Sequence, residues 1–211
     1  MTYDYSLYLV TDRMCMGTGT LREAVEQAVL GGCTMVQLRE NHASSRDFYD
    51  TAKEIKAISD TYGIPLIINN RIDIALAVDA AGVHIGQSDI PASVARKLIG
   101  RNKLLGVSAS SLCEAVQAQN DGADYLGVGA MFPTRTKYDA KIVSMEEWRA
   151  IRQAVTIPIV VIGGITKENA AAFLKTGADG IAVVSAILAQ PDIRRAAEEL
   201  KREVYLVSSF L

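Results

Sequence analysis

Short apolar runs alternate with longer amphipathic segments from one end of the chain to the other. The apolar runs predict strands at 6–10, 34–38, 66–68, 82–85, 103–107, 124–128, 159–162 and 180–183. The segments between them predict helices at 21–30, 45–62, 72–80, 92–98, 112–120, 145–154 and 168–175. Because the strands are apolar on both faces and helices follow them, the pattern indicates a parallel sheet covered by helices.

The number of these units narrows the fold further. About eight strand–helix units in 211 residues suit a closed (β/α)8 TIM barrel better than an open sheet. The Gly-Ala-Asp sequences at 122–124 and 177–179 both lead into predicted strands, as expected where one turn recurs around a barrel. We therefore expect an α/β protein with a single TIM-barrel domain over residues 1–211.

Charge and cysteine content exclude several classes of function. A net charge of −2 argues against nucleic-acid and anionic-membrane partners, which need a basic excess. The longest apolar run, at 157–165, is too short to span a bilayer, and the first residues lack the features of a signal sequence. Three scattered cysteines do not form a disulfide framework, so we expect a cytoplasmic protein.

Polar groups follow directly after several predicted strands, where α/β folds place their chemistry. The loop after the sixth strand carries Thr134, Arg135, Thr136 and Lys137. Two hydroxyls, a guanidinium and an ammonium are well suited to binding phosphate or pyrophosphate. An ordinary solvated loop is the alternative interpretation.

The loops after the last two strands predict a second phosphate-binding element. Gly163 and Gly164 end the seventh strand, and Val184 and Ser185 open a short helix after the eighth. In many barrels these two loops bind phosphate through backbone N–H groups at a helix N-terminus. A tight turn that needs glycine for steric reasons is the alternative.

Strands two and five also place polar side chains at the predicted mouth of the barrel. Gln37 and Arg39 are two residues apart, so a strand aims both at the same face. Ser108 ends strand five without a His/Asp companion, and hydrogen bonding is therefore its expected role. His84 lies inside an apolar strand and is interpreted as a structural residue.

Asn70 and Asp89 follow the third and fourth strands, whose ends are neighbours in a barrel. A carboxylate and an amide oxygen, together with substrate phosphate oxygens and water, form a reasonable Mg²⁺ shell. Both residue types are also common in turns, which is the alternative for each taken alone.

Taken together, the strand-end motifs resemble those of the thiamine-phosphate synthase family over nearly the whole chain and in the family's order. They are Tyr8-Leu9-Val10-Thr11-Asp12, Gln37-Leu38-Arg39-Glu40, Ile68-Asn69-Asn70-Arg71, Gly82-Val83-His84-Ile85-Gly86-Gln87, Gly106-Val107-Ser108, Phe132-Pro133-Thr134-Arg135-Thr136-Lys137, Ile162-Gly163-Gly164-Ile165 and Val184-Ser185. The resemblance implies an enzyme that joins 4-amino-5-hydroxymethyl-2-methylpyrimidine diphosphate to a thiazole phosphate, carboxylated or not, and releases pyrophosphate with the help of Mg²⁺.

The resemblance also implies roles for individual residues. Those expected to contact the pyrimidine diphosphate are Gln37, Arg39, Asn69, Ser108 and Lys137, and those expected to hold the thiazole phosphate are Thr134, Arg135, Thr136, Gly164, Val184 and Ser185. Glu40 and Asn41 complete the predicted substrate-binding set, and Asn70 and Asp89 are the predicted metal ligands. The predicted catalytic residues are Arg39, Ser108 and Lys137.

Two positions depart from the family's pattern. Asn41 stands where the family commonly has lysine, and Asn70 stands where it often has aspartate as a second Mg²⁺ ligand. Both changes remove charge near the diphosphate, because an amide oxygen binds Mg²⁺ without neutralising it. Weaker activity, or compensation by another cation such as Arg71, are the expectations left open.

The implied mechanism is a dissociative displacement, which needs no protein nucleophile. Three alternatives remain: a thiazole tautomerase-like protein, a non-catalytic ligand-binding homologue, and another phosphate-binding barrel enzyme. The tautomerase has a histidine where this chain has Ala130, and an epimerase or isomerase needs an acid/base pair, which is not evident. A homo-oligomer is compatible with the apolar tail at 205–211, although packing within the subunit is the simpler expectation.

Overall fold

The computed structural model describes residues 3–134 and 141–208, which form a closed barrel of eight parallel strands surrounded by helices. The strands are β1 (Leu7–Val10), β2 (Met35–Leu38), β3 (Leu66–Asn69), β4 (Gly82–Ile85), β5 (Leu104–Ala109), β6 (Tyr125–Val128), β7 (Ile159–Ile162) and β8 (Gly180–Val183). Strand order follows the chain, and β8 pairs with β1 to close the ring. The prediction of a TIM barrel is confirmed.

The helices alternate with the strands and pack on the outside of the barrel. They are α1 (Leu21–Leu30), α2 (Ser45–Tyr62), α3 (Ile72–Ala77), α4 (Ala92–Ile99), α5 (Leu112–Asn120), α6 (Met145–Ala154), α7 (Ala170–Leu174), α8 (Ser185–Leu188) and α9 (Ile193–Ser208). Thr20 and Glu23 form a capping box at the start of α1, and Ser44, Ser111 and Ser144 accept N–H groups at the starts of α2, α5 and α6. These side chains satisfy backbone donors that have no partner within the helix.

Three predicted elements differ from the structure by two or more residues at one end, several others differ by one residue, and the structure adds one helix. β5 continues to Ala109, so Ser108 lies within the strand, while α3 and α7 are shorter than predicted. Helix α9 was not among the predicted segments, and it packs against α1, α7 and α8. Near its end, Val204 and Val207 are buried within the subunit, whereas Tyr205 and Leu206 are exposed.

Side chains of each strand alternate between two buried layers, as the period of a strand requires. In β1, Leu7 and Leu9 point outward and pack under the helices, whereas Tyr8 and Val10 point into the barrel. The inner layer also includes Tyr125 of β6, which is completely buried. Two tyrosines in the barrel interior bring phenolic hydroxyls into the layer beneath the mouth.

Two matching ion pairs close the amino end of the barrel. Asp124 accepts the Leu105 N–H at 2.7 Å and pairs with Arg96 of α4. Asp179 accepts the first N–H of β7 at 2.8 Å and pairs with Arg152 of α6 at 3.0 Å. The Gly-Ala-Asp sequence therefore has the same structural role at both positions: its aspartate connects one strand to the next and to a helix.

Among the described residues, no helix is long and apolar enough to cross a membrane. The three cysteines, Cys15, Cys33 and Cys113, are all free thiols.

Candidate active site

A cavity of about 480 Å³ opens at the carboxyl ends of the strands, and residues from all eight strand ends line it. Nine of the predicted site residues contribute to its wall: Gln37, Arg39, Asn41, Asn69, Asn70, Asp89, Ser108, Thr134 and Val184. The closed parallel topology explains this convergence, because it places the carboxyl ends of distant sequence segments in one ring.

Three other predicted residues, Glu40, Gly164 and Ser185, are described and do not line the cavity. The Glu40 carboxylate pairs with Arg13 at 2.6 Å, and its side chain is nearly buried. Gly164 and Ser185 do not line the cavity, although their neighbours Gly163 and Val184 do. The predictions for Arg135, Thr136 and Lys137 lie outside the described residues.

Arg39 is the main cation on the β2 side of the mouth. Its guanidinium lies 3.1 Å from the Asp12 carboxylate, and the Arg39 side chain is only 21% exposed. Its backbone N–H donates to the Thr11 hydroxyl at 2.9 Å, which fixes the chain where β2 ends. Arg71, considered above as a compensating cation, instead donates to Asp73 and Ser45 and does not line the cavity.

The two predicted metal ligands lie at the rim of the same cavity. Asn70 has a left-handed backbone (φ 61°) and an exposed side chain. Asparagine tolerates this conformation better than most residues. One Asp89 oxygen accepts the Gly86 N–H at 2.7 Å, which holds the carboxylate at the end of β4. Within the described part of the chain, no three His, Cys, Asp or Glu residues cluster as a metal site.

A chain of hydrogen bonds begins beneath the β2–β3 side of the mouth. The Asn69 amide nitrogen donates to Gln37 Oε1 at 3.0 Å, and the Gln37 amide nitrogen donates to the Tyr8 hydroxyl at 3.1 Å. Tyr8 and Tyr125 then join hydroxyl to hydroxyl at 2.8 Å. Three neighbouring strands and β6 across the barrel are thereby connected through side chains alone.

The chain continues through His84 to the mouth. The Tyr125 hydroxyl lies 3.1 Å from His84 Nδ1, and His84 Nε2 lies 2.9 Å from the Ser108 hydroxyl. His84 is only 7% exposed, so both ring nitrogens are held in a buried setting. Burial raises the pKa of Tyr8 and of Tyr125 above the usual range of phenols, so both remain neutral hydrogen-bonding groups.

Two glycines make room for these rings. A Cβ at Gly106 would lie 2.2 Å from the end of the Tyr125 ring and 2.5 Å from His84 Nδ1. A Cβ at Gly127 would lie 3.0 Å from His84 Cε1. Strands β5 and β6 therefore lack a side chain where the His84 and Tyr125 rings pass.

Sequence reasoning missed several residues of this wall. Tyr8 in the wall and Tyr125 beneath it have the pattern of ordinary core residues. His84 is interpreted from the sequence only as structural, although it contacts Ser108. Lys141 also lines the cavity, and no hydrogen bond or ion pair ties its ammonium to another described residue. Its position just after the Thr-Lys loop was the only signal that could have identified it.

A larger depression of about 890 Å³ lies at the opposite, amino end of the barrel. Its acidic residues are Asp4, Asp124 and Asp179, and the last two are the carboxylates paired with Arg96 and Arg152. Because the fold itself uses these charges, the mouth is the better candidate for chemistry.

The fold and the mouth together define a class: TIM-barrel proteins with a polar site at the carboxyl ends of the strands, suited to charged small molecules. The sequence model of the family described as thiamine monophosphate synthase matches residues 7–187. The chain belongs to this family.

Individual relatives agree with the family match. The thiamine-phosphate synthase of Clostridium beijerinckii is 62% identical over 95% of this chain and 96% of its own length. That of Ruminiclostridium cellulolyticum is 62% identical over 93% of this chain and 94% of its own length. The thiamine phosphate pyrophosphorylase structure from Pyrococcus furiosus is 43% identical, with a TM-score of 0.90 over 97% of each chain.

Proposed function

We propose that this protein is a transferase that makes thiamine phosphate. It joins 4-amino-5-hydroxymethyl-2-methylpyrimidine diphosphate to 4-methyl-5-(2-phosphoethyl)thiazole and releases pyrophosphate; with the carboxylated form of the thiazole, CO₂ is released as well. Membership of the thiamine monophosphate synthase family supports the reaction. The observation that carries the assignment of the site is the single cavity in which nine predicted residues meet.

The two substrates would occupy opposite sides of this cavity. Gln37, Arg39 and Asn69 lie on β2 and β3, on the side proposed for the pyrimidine diphosphate. Gly163 and Val184 follow β7 and β8, on the side proposed for the thiazole phosphate. Strand order around the ring supports this division, because β7 lies across the barrel from β3. Holding both substrates in one cavity converts an encounter of two molecules into a step within one complex.

The residues at the rim fit Mg²⁺ only in the presence of a substrate diphosphate. Asp89 offers one oxygen not used by the Gly86 N–H, and Asn70 offers an amide oxygen. Mg²⁺ commonly takes one or two protein oxygens and completes its shell with substrate phosphates and water. When bound there, the ion would neutralise charge on the diphosphate, and Asp89 and Asn70 would hold it.

The chemical step needs binding and charge stabilisation from the protein rather than a nucleophile. The bond between the pyrimidine methylene carbon and the diphosphate oxygen breaks, and its electron pair leaves with pyrophosphate. The thiazole nitrogen then forms the new carbon–nitrogen bond to the same carbon. In this proposal Arg39 and Lys137 stabilise the charge that develops on the leaving group, as fixed cations do in other active sites.

Two alternative functions are less well supported. A tautomerase-like reaction lacks its acid/base residue, because buried Ala130 occupies that position in the cavity wall. A non-catalytic homologue is favoured only by Asn41 and Asn70, which line the cavity without charge. Small-molecule substrates follow from the family, while a cytoplasmic location and a homo-oligomeric state remain predictions.

A direct assay tests the proposal. The purified protein is mixed with both substrates and Mg²⁺, and thiamine phosphate and pyrophosphate are measured in equal amounts as products. Reactions lacking either substrate serve as controls. If neither product forms at high enzyme and Mg²⁺ concentrations, the proposed reaction is wrong. If both substrates bind without turnover, the protein is the non-catalytic homologue.

Lys137→Ala tests the proposed role of the loop. If Lys137 stabilises developing charge, its loss lowers turnover by about a hundredfold or more. Lys175→Ala is a matched control, because Lys175 is an exposed residue at the end of α7 that does not line the cavity. Normal turnover by the Lys137 variant would exclude the role assigned to it.

A further inference from the structure

The hydrogen-bond chain beneath the mouth is anchored at one end by a group that can only accept. The backbone carbonyl of His84 lies 3.4 Å from the Asn69 amide nitrogen. The contact is long, but the opposite orientation of the amide would place two acceptor oxygens against each other. Asn69 must therefore present its NH₂ group to the His84 carbonyl and to Gln37 Oε1 together, since an amide nitrogen carries two donors.

This anchor fixes the direction of the next two bonds. Because Gln37 Oε1 accepts from Asn69, the Gln37 NH₂ group faces the Tyr8 hydroxyl and donates to it. Tyr8 is 1% exposed, and its remaining neighbour in the chain is the Tyr125 hydroxyl at 2.8 Å. Buried donors are nearly always paired, so the Tyr8 proton points to Tyr125.

The same reasoning extends to the mouth. Tyr125 accepts from Tyr8 and is completely buried, so its own proton goes to His84 Nδ1 at 3.1 Å. A neutral imidazole that accepts at Nδ1 carries its proton on Nε2. His84 Nε2 then donates to the Ser108 oxygen at 2.9 Å. The Ser108 proton is left to point into the cavity.

The reverse direction leaves a buried proton without a partner. If Ser108 donated to His84, Tyr125 would receive the Nδ1 proton and donate its own to Tyr8. Tyr8 would then accept from both Gln37 and Tyr125, and its proton would have no acceptor among the described residues. Burying a hydroxyl proton without an acceptor lowers the stability of the folded protein.

We propose that this directed chain holds His84 as the neutral Nε2–H tautomer and presents Ser108 as a hydrogen-bond donor to an acceptor atom of the substrate. Tyr8, Tyr125 and His84 are positioning residues, which act through Ser108. The Ser108–His84 contact resembles a nucleophile and its base, but its direction is opposite, because histidine donates. Ser108 is therefore not activated for attack. The identity of the substrate rests on the proposed function above.

Nuclear magnetic resonance tests the tautomer without any substrate. The protein has 2 histidines, and His42 is exposed, so a His42→Gln variant labelled with ¹⁵N-histidine reports on His84 alone. At neutral pH we expect Nε2 at the shift of a protonated ring nitrogen and Nδ1 at that of an unprotonated one. The reverse assignment, or a charged ring, overturns the proposal whatever the enzyme's activity.

Tyr125→Phe removes the donor to His84 Nδ1 while keeping the buried ring. We expect the His84 proton to redistribute between its two nitrogens. We also expect kcat/KM for the pyrimidine diphosphate to fall by about threefold to tenfold, the worth of one hydrogen bond, with little change in KM for the thiazole phosphate. Tyr5→Phe is the matched control. The Tyr5 ring packs against Tyr125 with ring centroids 5.2 Å apart, but the Tyr5 hydroxyl takes no part in the hydrogen bonds that link Tyr8, Tyr125 and His84.

A double variant separates positioning from a merely structural role. If Tyr125 acts through Ser108, then Tyr125→Phe adds no further loss to Ser108→Ala. Independent losses that multiply in the double variant would overturn the proposal. Should Tyr125→Phe fold poorly, Tyr8→Phe offers the same comparison one bond further from the mouth. If neither the wild type nor any variant turns over the substrates, the proposed reaction is wrong. The tautomer measurement still tests this inference, because it needs no substrate.

Discussion

Arg96 at the amino end of the barrel and Arg39 at the mouth are similarly buried, with 17% and 21% of their side chains exposed. Arg96 pairs with Asp124 and also donates to the backbone carbonyls of Gly122, Gly100 and Lys103. Arg39 has the Asp12 carboxylate as an ion-pair partner and lines an open cavity. One guanidinium joins backbone segments of the fold, whereas the other faces the space proposed for a substrate.

The two ends of the barrel use polar groups for different purposes: at the amino end they join parts of the fold, and at the mouth they line a cavity. At the amino end, each aspartate of the Gly-Ala-Asp repeat binds a strand N–H and an arginine, so its charge is neutralised within the structure. At the mouth, Arg39, Ser108 and Lys141 line a cavity and can meet a ligand. The same substitution at the two ends should therefore damage different properties.

Arg39→Gln should have the largest effect, and that effect should fall on activity. Removing one preorganised charge from a leaving-group site lowers turnover by about a hundredfold. Stability should change by less than about 1 kcal/mol, because partly exposed ion pairs contribute little. Steady-state kinetics and urea unfolding measure the two quantities. A variant with normal turnover would show that Arg39 does not stabilise developing charge.

Arg96→Gln should reverse this pattern. The guanidinium makes several charge-assisted bonds, each worth about 1.5–3 kcal/mol where buried. After allowance for partial exposure, we expect a loss of about 2 kcal/mol in the free energy of unfolding, or roughly 4–8 °C in melting temperature. Turnover measured well below that temperature should stay close to that of wild type, because Arg96 does not line the cavity. A large loss of turnover in the folded variant would contradict the division between the two ends.

Most of the fold could be predicted because its signals are local. Each strand is a short apolar run, and N-terminal caps such as Ser44, Ser111 and Ser144 mark helix starts. Helix α9 is absent from the predicted segments although its buried positions, Ala197, Leu200, Val204 and Val207, follow helical spacing; the sequence leaves open whether an apolar residue between them, such as Tyr205, is also covered. Whether such a residue is covered depends on packing, which local sequence does not determine.

Site residues could be predicted where polar side chains at the end of a strand have no evident role in the core. Gln37 and Arg39 followed from their alternation, and both line the cavity. Tyr125 could not be found, because a tyrosine in a buried strand has the same pattern whether or not its hydroxyl is bonded. Its contacts with Tyr8 and His84 join strands that are distant in sequence. These contacts become apparent only when the eight strands are seen to close into a barrel.

Lys141→Gln should produce a smaller change at the mouth. Lys141 is exposed and lines the cavity, so it can replace part of the charge missing at Asn41. Because exposed charge interactions are worth about 0.2–1 kcal/mol, we expect KM for the pyrimidine diphosphate to rise by up to about fivefold. The difference from wild type should shrink at high salt, which screens exposed charges. Lys175→Gln is the control, and an equal KM in both variants would remove Lys141 from the site.

Asp79→Asn should produce the smallest change, at the amino end. The Asp79 carboxylate accepts a hydrogen bond from Lys103 at 2.7 Å, and this bond holds the pKa of Asp79 below its usual range. Asp79 has a left-handed backbone (φ 51°), which asparagine also tolerates, so the substitution removes the charge without new strain.

The sign of the pH dependence follows from this lowered pKa. Stabilisation by Asp79 is fully present above the pKa of the unfolded chain, about 3.9, and is lost as pH falls through the lower folded value. Asp79→Asn should therefore be slightly less stable than wild type at pH 7, and the two should converge as pH falls through the lowered pKa of folded Asp79. Because Asp79 is 88% exposed, the gap should be much smaller than that caused by Arg96→Gln. Urea unfolding measures the difference in the free energy of unfolding between Asp79→Asn and wild type. If this difference is as large as that caused by Arg96→Gln, or grows in acid, then the exposure of an ion pair does not determine its contribution to stability at this end.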